Sequence, residues 1–135
     1  MSQPDDSRNR DVLVVGTEAL VASDLAAELE AQGFRTAGPF SGYDEVIPWL
    51  ANSQPDCAVI DVGLKDGSSF EIARELRRRG VPMVLLSEAE SFRPEAASGW
   101  SETPWIGKPV AAVHLAHILD GLTRSRGQRL RDRAA

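Results

Sequence analysis

Short unbroken apolar runs alternate along the chain with longer stretches in which apolar residues recur at helical spacing. Val12, Leu13, Val14 and Val15 are consecutive, the pattern of a strand covered on both faces. Residues 18–32 follow at helical period, with Val21, Leu25 and Leu29 as the expected inner stripe, and Gly33 closes that helix. Residues 34–37 read as a short second strand. Ser41, with Asp44 three residues on, offers a capping-box start for a second helix reaching about Ala51. Pro48 lies inside that stretch. The helix is therefore expected to kink or begin late, because proline lacks the N–H that an interior helical residue donates.

The alternation continues. Residues 58–60 form a third apolar run ending at Asp61, and the loop of residues 63–67 carries a glycine at each end. Ser68 with Glu71 opens a third helix that runs to about Arg79 and stops at Gly80. Residues 84–86 read as a fourth strand ending at Ser87, and residues 105–106 as a brief fifth ending at Lys108-Pro109. The last helix starts near Ala111 and carries Leu115, Leu119 and Leu122 at i, i+4, i+7. Between strands four and five, Pro94, Gly99 and Pro104 interrupt the pattern. A helix there is expected to span only a turn or two near residues 94–97, or to be absent.

Strands alternating with helices predict an α/β fold: a doubly wound five-stranded parallel sheet with helices on both faces. The 135 residues suit one domain. A chain of this size buries about two-thirds of its surface, so neither disulfides nor metal are needed for a core. The expected divisions are a polar arm over residues 1–10, a folded body over 11–122 and a basic tail over 123–135. Charge sharpens this picture. The net charge is −5, but the tail holds five arginines and one acid, leaving −9 on the rest. An acidic body argues against a duplex-binding face, and the tail reads as a solvated helix end. Cys57 sits in the run Cys57-Ala58-Val59-Ile60 with no His nearby, and is read as a buried structural thiol. The N-terminal residues lack an apolar signal region and no apolar run reaches spanning length, so a cytoplasmic location without membrane contact is expected.

In parallel sheets of this kind ligands lie beyond the carboxyl ends of the strands. Those ends carry Gly16-Thr17, Asp61, Ser87 and Lys108, so an acid, a hydroxyl and an ammonium are predicted on one sheet edge. The constellation resembles the receiver domain of bacterial two-component response regulators. Carrying the resemblance are Val14-Val15-Gly16-Thr17-Glu18, Ile60-Asp61 with the loop through Gly67, Leu86-Ser87 and Gly107-Lys108-Pro109; Ser87 lies 26 residues after Asp61 and Lys108 lies 21 after Ser87. It implies the flavodoxin-like strand order 2-1-3-4-5 and a signalling module rather than an enzyme. It further implies that Asp61 is the phosphoacceptor for a histidine kinase or phosphotransfer protein. Lys108 and Ser87 would contact the phosphoryl group, Trp105 would be a switching aromatic, and the Gly63 carbonyl would join Asp61 in holding Mg2+. The Lys108-Pro109 peptide is expected to be cis.

One departure changes the expected function. Where the family has an acidic pair that holds magnesium, this chain has Gly16 and Thr17. Magnesium favours hard anionic oxygens and gives up water reluctantly, and phosphoryl transfer depends on neutralising the charge between carboxylate and phosphate. Metal binding, and with it phosphorylation of Asp61, is expected to be weak or absent. The alternatives are a phosphorylation-independent receiver-like protein that binds a partner through its surface, and a flavodoxin-like nucleotide or flavin binder. The last lacks a phosphate-cradling loop, since Gly16-Thr17-Glu18 is short and acidic. His114 and His117 have no further zinc ligands in sequence, and Ser87 has no nucleophile-elbow motif around it. No DNA-binding domain is expected, output is expected by protein contact, by acting as a phosphate sink or through the tail, and a homodimer is compatible with the pattern.

Overall fold

The structure, a computed structural model, describes residues 10–16, 18–62, 68–87 and 103–134. Its strands are β1 (Asp11–Val15), β2 (Arg35–Phe40), β3 (Cys57–Asp61), β4 (Met83–Ser87) and β5 (Trp105–Gly107). All pair in parallel, as the alternation predicts, in the order β2-β1-β3-β4-β5 that the resemblance implies. The helices are α1 (Ala19–Ala31), α2 (Tyr43–Asn52), α3 (Ser68–Arg78) and α4 (Ala112–Ala134).

Successive strand residues point to opposite faces, and the unbroken apolar runs feed two cores. Leu13, Val15, Ile60 and Leu85 pack with Val46 and Leu50 of α2 and Ile72 and Leu76 of α3. Val12, Val14, Val59 and Leu86 pack with Ala26 and Leu29 of α1 and Leu115 and Leu119 of α4. Every residue of β3 and of β4 is buried.

The ends of α1 and α3 aim the chain into the sheet by one device. Gly33 (φ 103°) and Gly80 (φ 75°) are left-handed. At the first, Gly33 N–H donates to the Glu30 carbonyl and Phe34 N–H to the Leu29 carbonyl. At the second, Gly80 N–H donates to Arg77 and Val81 N–H to Leu76. These are Schellman closures, and in each the apolar residue after the glycine (Phe34, Val81) is buried, as is the leucine whose carbonyl it bonds (Leu29, Leu76).

Three elements differ from the sequence expectation. The buried face of α1 is Ala22, Ala26 and Leu29, whereas Val21 is 49 % exposed. The stripe is turned by one residue because small alanines let the helix sit close to the sheet. Strand β2 runs to Phe40 rather than stopping at Ala37, because Gly38 absorbs a register shift against β1 between Leu13 and Val15. Helix α2 starts at Tyr43 and contains Pro48. Its entry is fixed by the Glu45 carboxylate, which accepts from the Ser41 N–H (2.6 Å) and hydroxyl (3.0 Å), one position later than the expected Asp44. These bonds hold the Glu45 carboxyl below its ordinary pKa. Helix α4 passes without a break through position 122 to Ala134. The stretch expected to hold a short helix or none falls on residues 88–102, outside the described residues, as do Thr17, Gly63 and Gly67.

Gly38 shows where conformation demands glycine. At φ 104° an added Cβ would lie 2.8 Å from the Val14 carbonyl oxygen and 2.7 Å from the Phe40 nitrogen, whereas one at Gly80 would meet open space. Gly38→Ala is expected to lose about 2–3 kcal/mol of stability against about 1 kcal/mol for Gly80→Ala, measured by urea unfolding.

Candidate functional site

The carboxyl ends of the strands bring the predicted polar residues to one edge. Asp61 ends β3, 8 % exposed, level with Leu86 of β4. Ser87 ends β4, is buried, and pairs with Gly107 of β5. The Lys108 N–H donates to the Ser87 carbonyl (2.8 Å), carrying the ladder one residue past the strand. From there the Lys108 ammonium reaches across β4 and donates to both Asp61 carboxylate oxygens, at 3.0 and 3.1 Å. The Lys108-Pro109 peptide is cis. The Ser87 hydroxyl forms no hydrogen bond among the described residues; it sits on the strand next to β3, about 4.8 Å away across the ladder.

Gly16 lies at the end of β1, buried, its N–H donating to the Phe40 carbonyl (2.9 Å). A Cβ built there would stand 3.7 Å from the Asp61 Cβ, so position 16 is beside the carboxylate. Trp105 turns to the other side of β5. It packs on the α2–α3 core and its ring lies 6.1 Å from that of Phe70, where it covers the sheet edge.

Two neighbours of the site have no sequence signal of their own. Ser69, buried in the first turn of α3, donates to the Asp61 carbonyl (3.4 Å) and steadies the strand end. Ala22 of α1 faces Gly16 and is one of several alanines in that helix. At the opposite end of β3, burial first and then the Asp56 carboxylate push the Cys57 thiol up to about 12. A thiol held protonated in a core is no nucleophile at neutral pH. His114 and His117 are exposed on α4.

The described residues do not fit a divalent metal. Among them, no group of three or more His, Cys, Asp or Glu is placed to hold one. The Asp61 carboxylate already has an ammonium on both oxygens. Beside the site a groove of about 430 Å³ runs along α1, lined by exposed Glu18, Asp24 and Glu28 and by apolar Val21, Leu25 and Val110.

No protein-family model matches the chain. It is 30 % identical over 100 residues to the KDP operon transcriptional regulatory protein KdpE of Escherichia coli, covering 73 % of this chain and 44 % of that one. It is 27 % identical over 116 residues to the response regulator MprA of a Mycobacterium species, covering 84 % and 50 %. The chain thus spans about half the length of the curated relatives it matches. Among solved structures, a response regulator receiver protein from Sinorhizobium medicae superposes with a TM-score of 0.74 at 21 % identity, over 87 % of this chain and 97 % of that one. The receiver domain of a modulated diguanylate cyclase from Desulfovibrio desulfuricans gives 0.74 at 22 %, over 89 % and 98 %. Sheet order and relatives define the class as the doubly wound signal-receiver fold. The chain is a response-regulator receiver domain of two-component signal transduction.

Removing one partner of a mostly buried ion pair leaves the other charge without compensation. Lys108→Met is expected to lower stability by about 1–3 kcal/mol at pH 8. Adding Asp61→Asn should recover most of that loss, because a neutral amide needs no counter-ion. A urea-unfolding double-mutant cycle measures both. Cys57 is expected to resist thiol reagents at pH 8 until the protein is unfolded.

Proposed function

We propose that this receiver uses Asp61 as its phosphoacceptor, takes up phosphate weakly or not at all with magnesium, and signals by protein contact. The observation that carries the reading is the charge around Asp61. Its counter-charge is the Lys108 ammonium, and position 16 beside it, which the resemblance gives to an acid, is a glycine. A single ammonium neutralises one negative charge. An incoming phosphoryl group adds roughly two more, which a divalent ion would otherwise share.

In this reading Asp61 Oδ is the nucleophile and phosphoryl transfer from a phosphohistidine forms the Asp61 O–P bond as the N–P bond breaks. Lys108 moves from the carboxylate to the phosphoryl oxygens, and the Ser87 hydroxyl donates to them. The histidine kinase or phosphotransfer protein docks in the groove along α1, which leads to Lys108. The acids Glu18, Asp24 and Glu28 favour a partner helix with basic flanks. The same groove supports a second reading, partner binding that ignores phosphorylation, since it is present with Asp61 already paired.

Acetyl phosphate with Mg2+, followed by phosphate-affinity electrophoresis, tests the proposal. Less than about one chain in ten is expected to be modified under conditions that saturate a receiver with an intact acidic pair, and Asp61→Ala should remove that signal. Saturating modification of the wild type would overturn it. Equal capture of a partner by wild type and Asp61→Ala would favour the second reading.

A further inference from the structure

Glycine at position 16 is not required by the backbone. Its φ lies outside the left-handed range, so any L-residue could adopt it, unlike Gly38 with φ 104°. The constraint is steric and comes from one direction. A Cβ at position 16 would stand 3.0 Å from the Cβ of Ala22, and its next neighbours are at 3.7 Å or beyond. Carbon atoms in contact sit about 3.5–4.0 Å apart, so the Ala22 side of the helix would have to give by a few tenths of an ångström. Ala22 and Ala26 are both 5 % exposed and Leu29 is fully buried; they seat α1 against the sheet and hold it there.

We propose that the first turns of α1 are packed onto the end of β1 through a Gly16–Ala22 contact, and that this packing fills the room a metal-binding side chain at position 16 would need. The inference rests on the reading of Asp61 as the receiver's phosphoacceptor. It goes beyond the lost charge, because it makes the closure a property of two residues on two elements. Restoring an acid alone then meets the Ala22 methyl group. Lys108 is the resident counter-ion of Asp61 in a site built without a metal, and Ala22 is the positioning residue that keeps it so.

The contact is tested first without charge or metal. Ala22→Gly should lower the melting temperature of the wild type by removing a helix-favouring methyl group. In a Gly16→Ala background the same change should raise it, because it relieves the clash. A lowering of equal size in both backgrounds would overturn the proposal. The metal arm uses Mg2+ alone, followed by titration calorimetry on Gly16→Asp with and without Ala22→Gly. The double variant is expected to bind at least tenfold more tightly than Gly16→Asp. If Gly16→Asp binds as tightly as the double variant, the packing inference fails and the charge-defect reading stands. If neither binds, the packing inference fails together with the reading of Asp61 as a metal-adjacent acid.

Discussion

A carboxylate at the end of a fully buried strand has to find a positive charge, and much of this domain is arranged around that requirement. Asp61 closes β3, whose every residue is buried, and bulk water is too scarce there to solvate an anion fully. Lys108 meets the need from two strands away. It does so because the β4–β5 ladder continues through the bond from the Lys108 N–H to the Ser87 carbonyl, which fixes where the lysine stem begins. The register of three strands thereby becomes a condition for the ion pair. Ser69 holds the Asp61 carbonyl from α3, so the fourth contributor is a helix on one face of the sheet.

The topology was legible because the sequence states it at several levels at once. Continuous apolar runs marked β1, β3 and β4, and Gly33 and Gly80 marked the helix ends that the Schellman bonds then realise. The polar residues at the strand ends needed only the rule that such ends share an edge. What that rule does not supply is distance. That Lys108 engages both oxygens of Asp61, and that position 16 faces the same carboxylate, follows from register and stagger.

Each departure from the sequence pattern has its own physical origin. Hydrophobic periodicity weights large side chains and so points to Val21 as a core residue, whereas Ala22 is the one buried. A helix that packs tightly buries its small residues and leaves a larger one at the rim, here lining the groove beside the site. Strand β2 continues past Ala37 through Gly38-Pro39, two residues that disfavour regular strand. The sheet keeps the strand by shifting register around them. Helix α2 tolerates Pro48 because Val46 and Leu50 on either side are buried in the core, and burial of that face outweighs one missing backbone bond.

Two physical effects converge at the end of β1, and they are separable. Losing an acid removes charge that would attract a cation; losing a side chain lets a helix move in. The first could be reversed by one substitution if the space were still open. The second is maintained by Ala22, Ala26 and Leu29 acting together, and close-packed interiors resist small displacements because every atom moved disturbs its neighbours. A site closed by packing is therefore harder to reopen than one merely stripped of charge. The groove on the outer side of α1 belongs to the same arrangement. Turning the alanines inward is what turns Val21 outward, beside Glu18 and Asp24. The close seating of α1 thus works in opposite directions on its two faces: it fills the space next to Asp61 and presents an acidic, partly apolar surface next to Lys108.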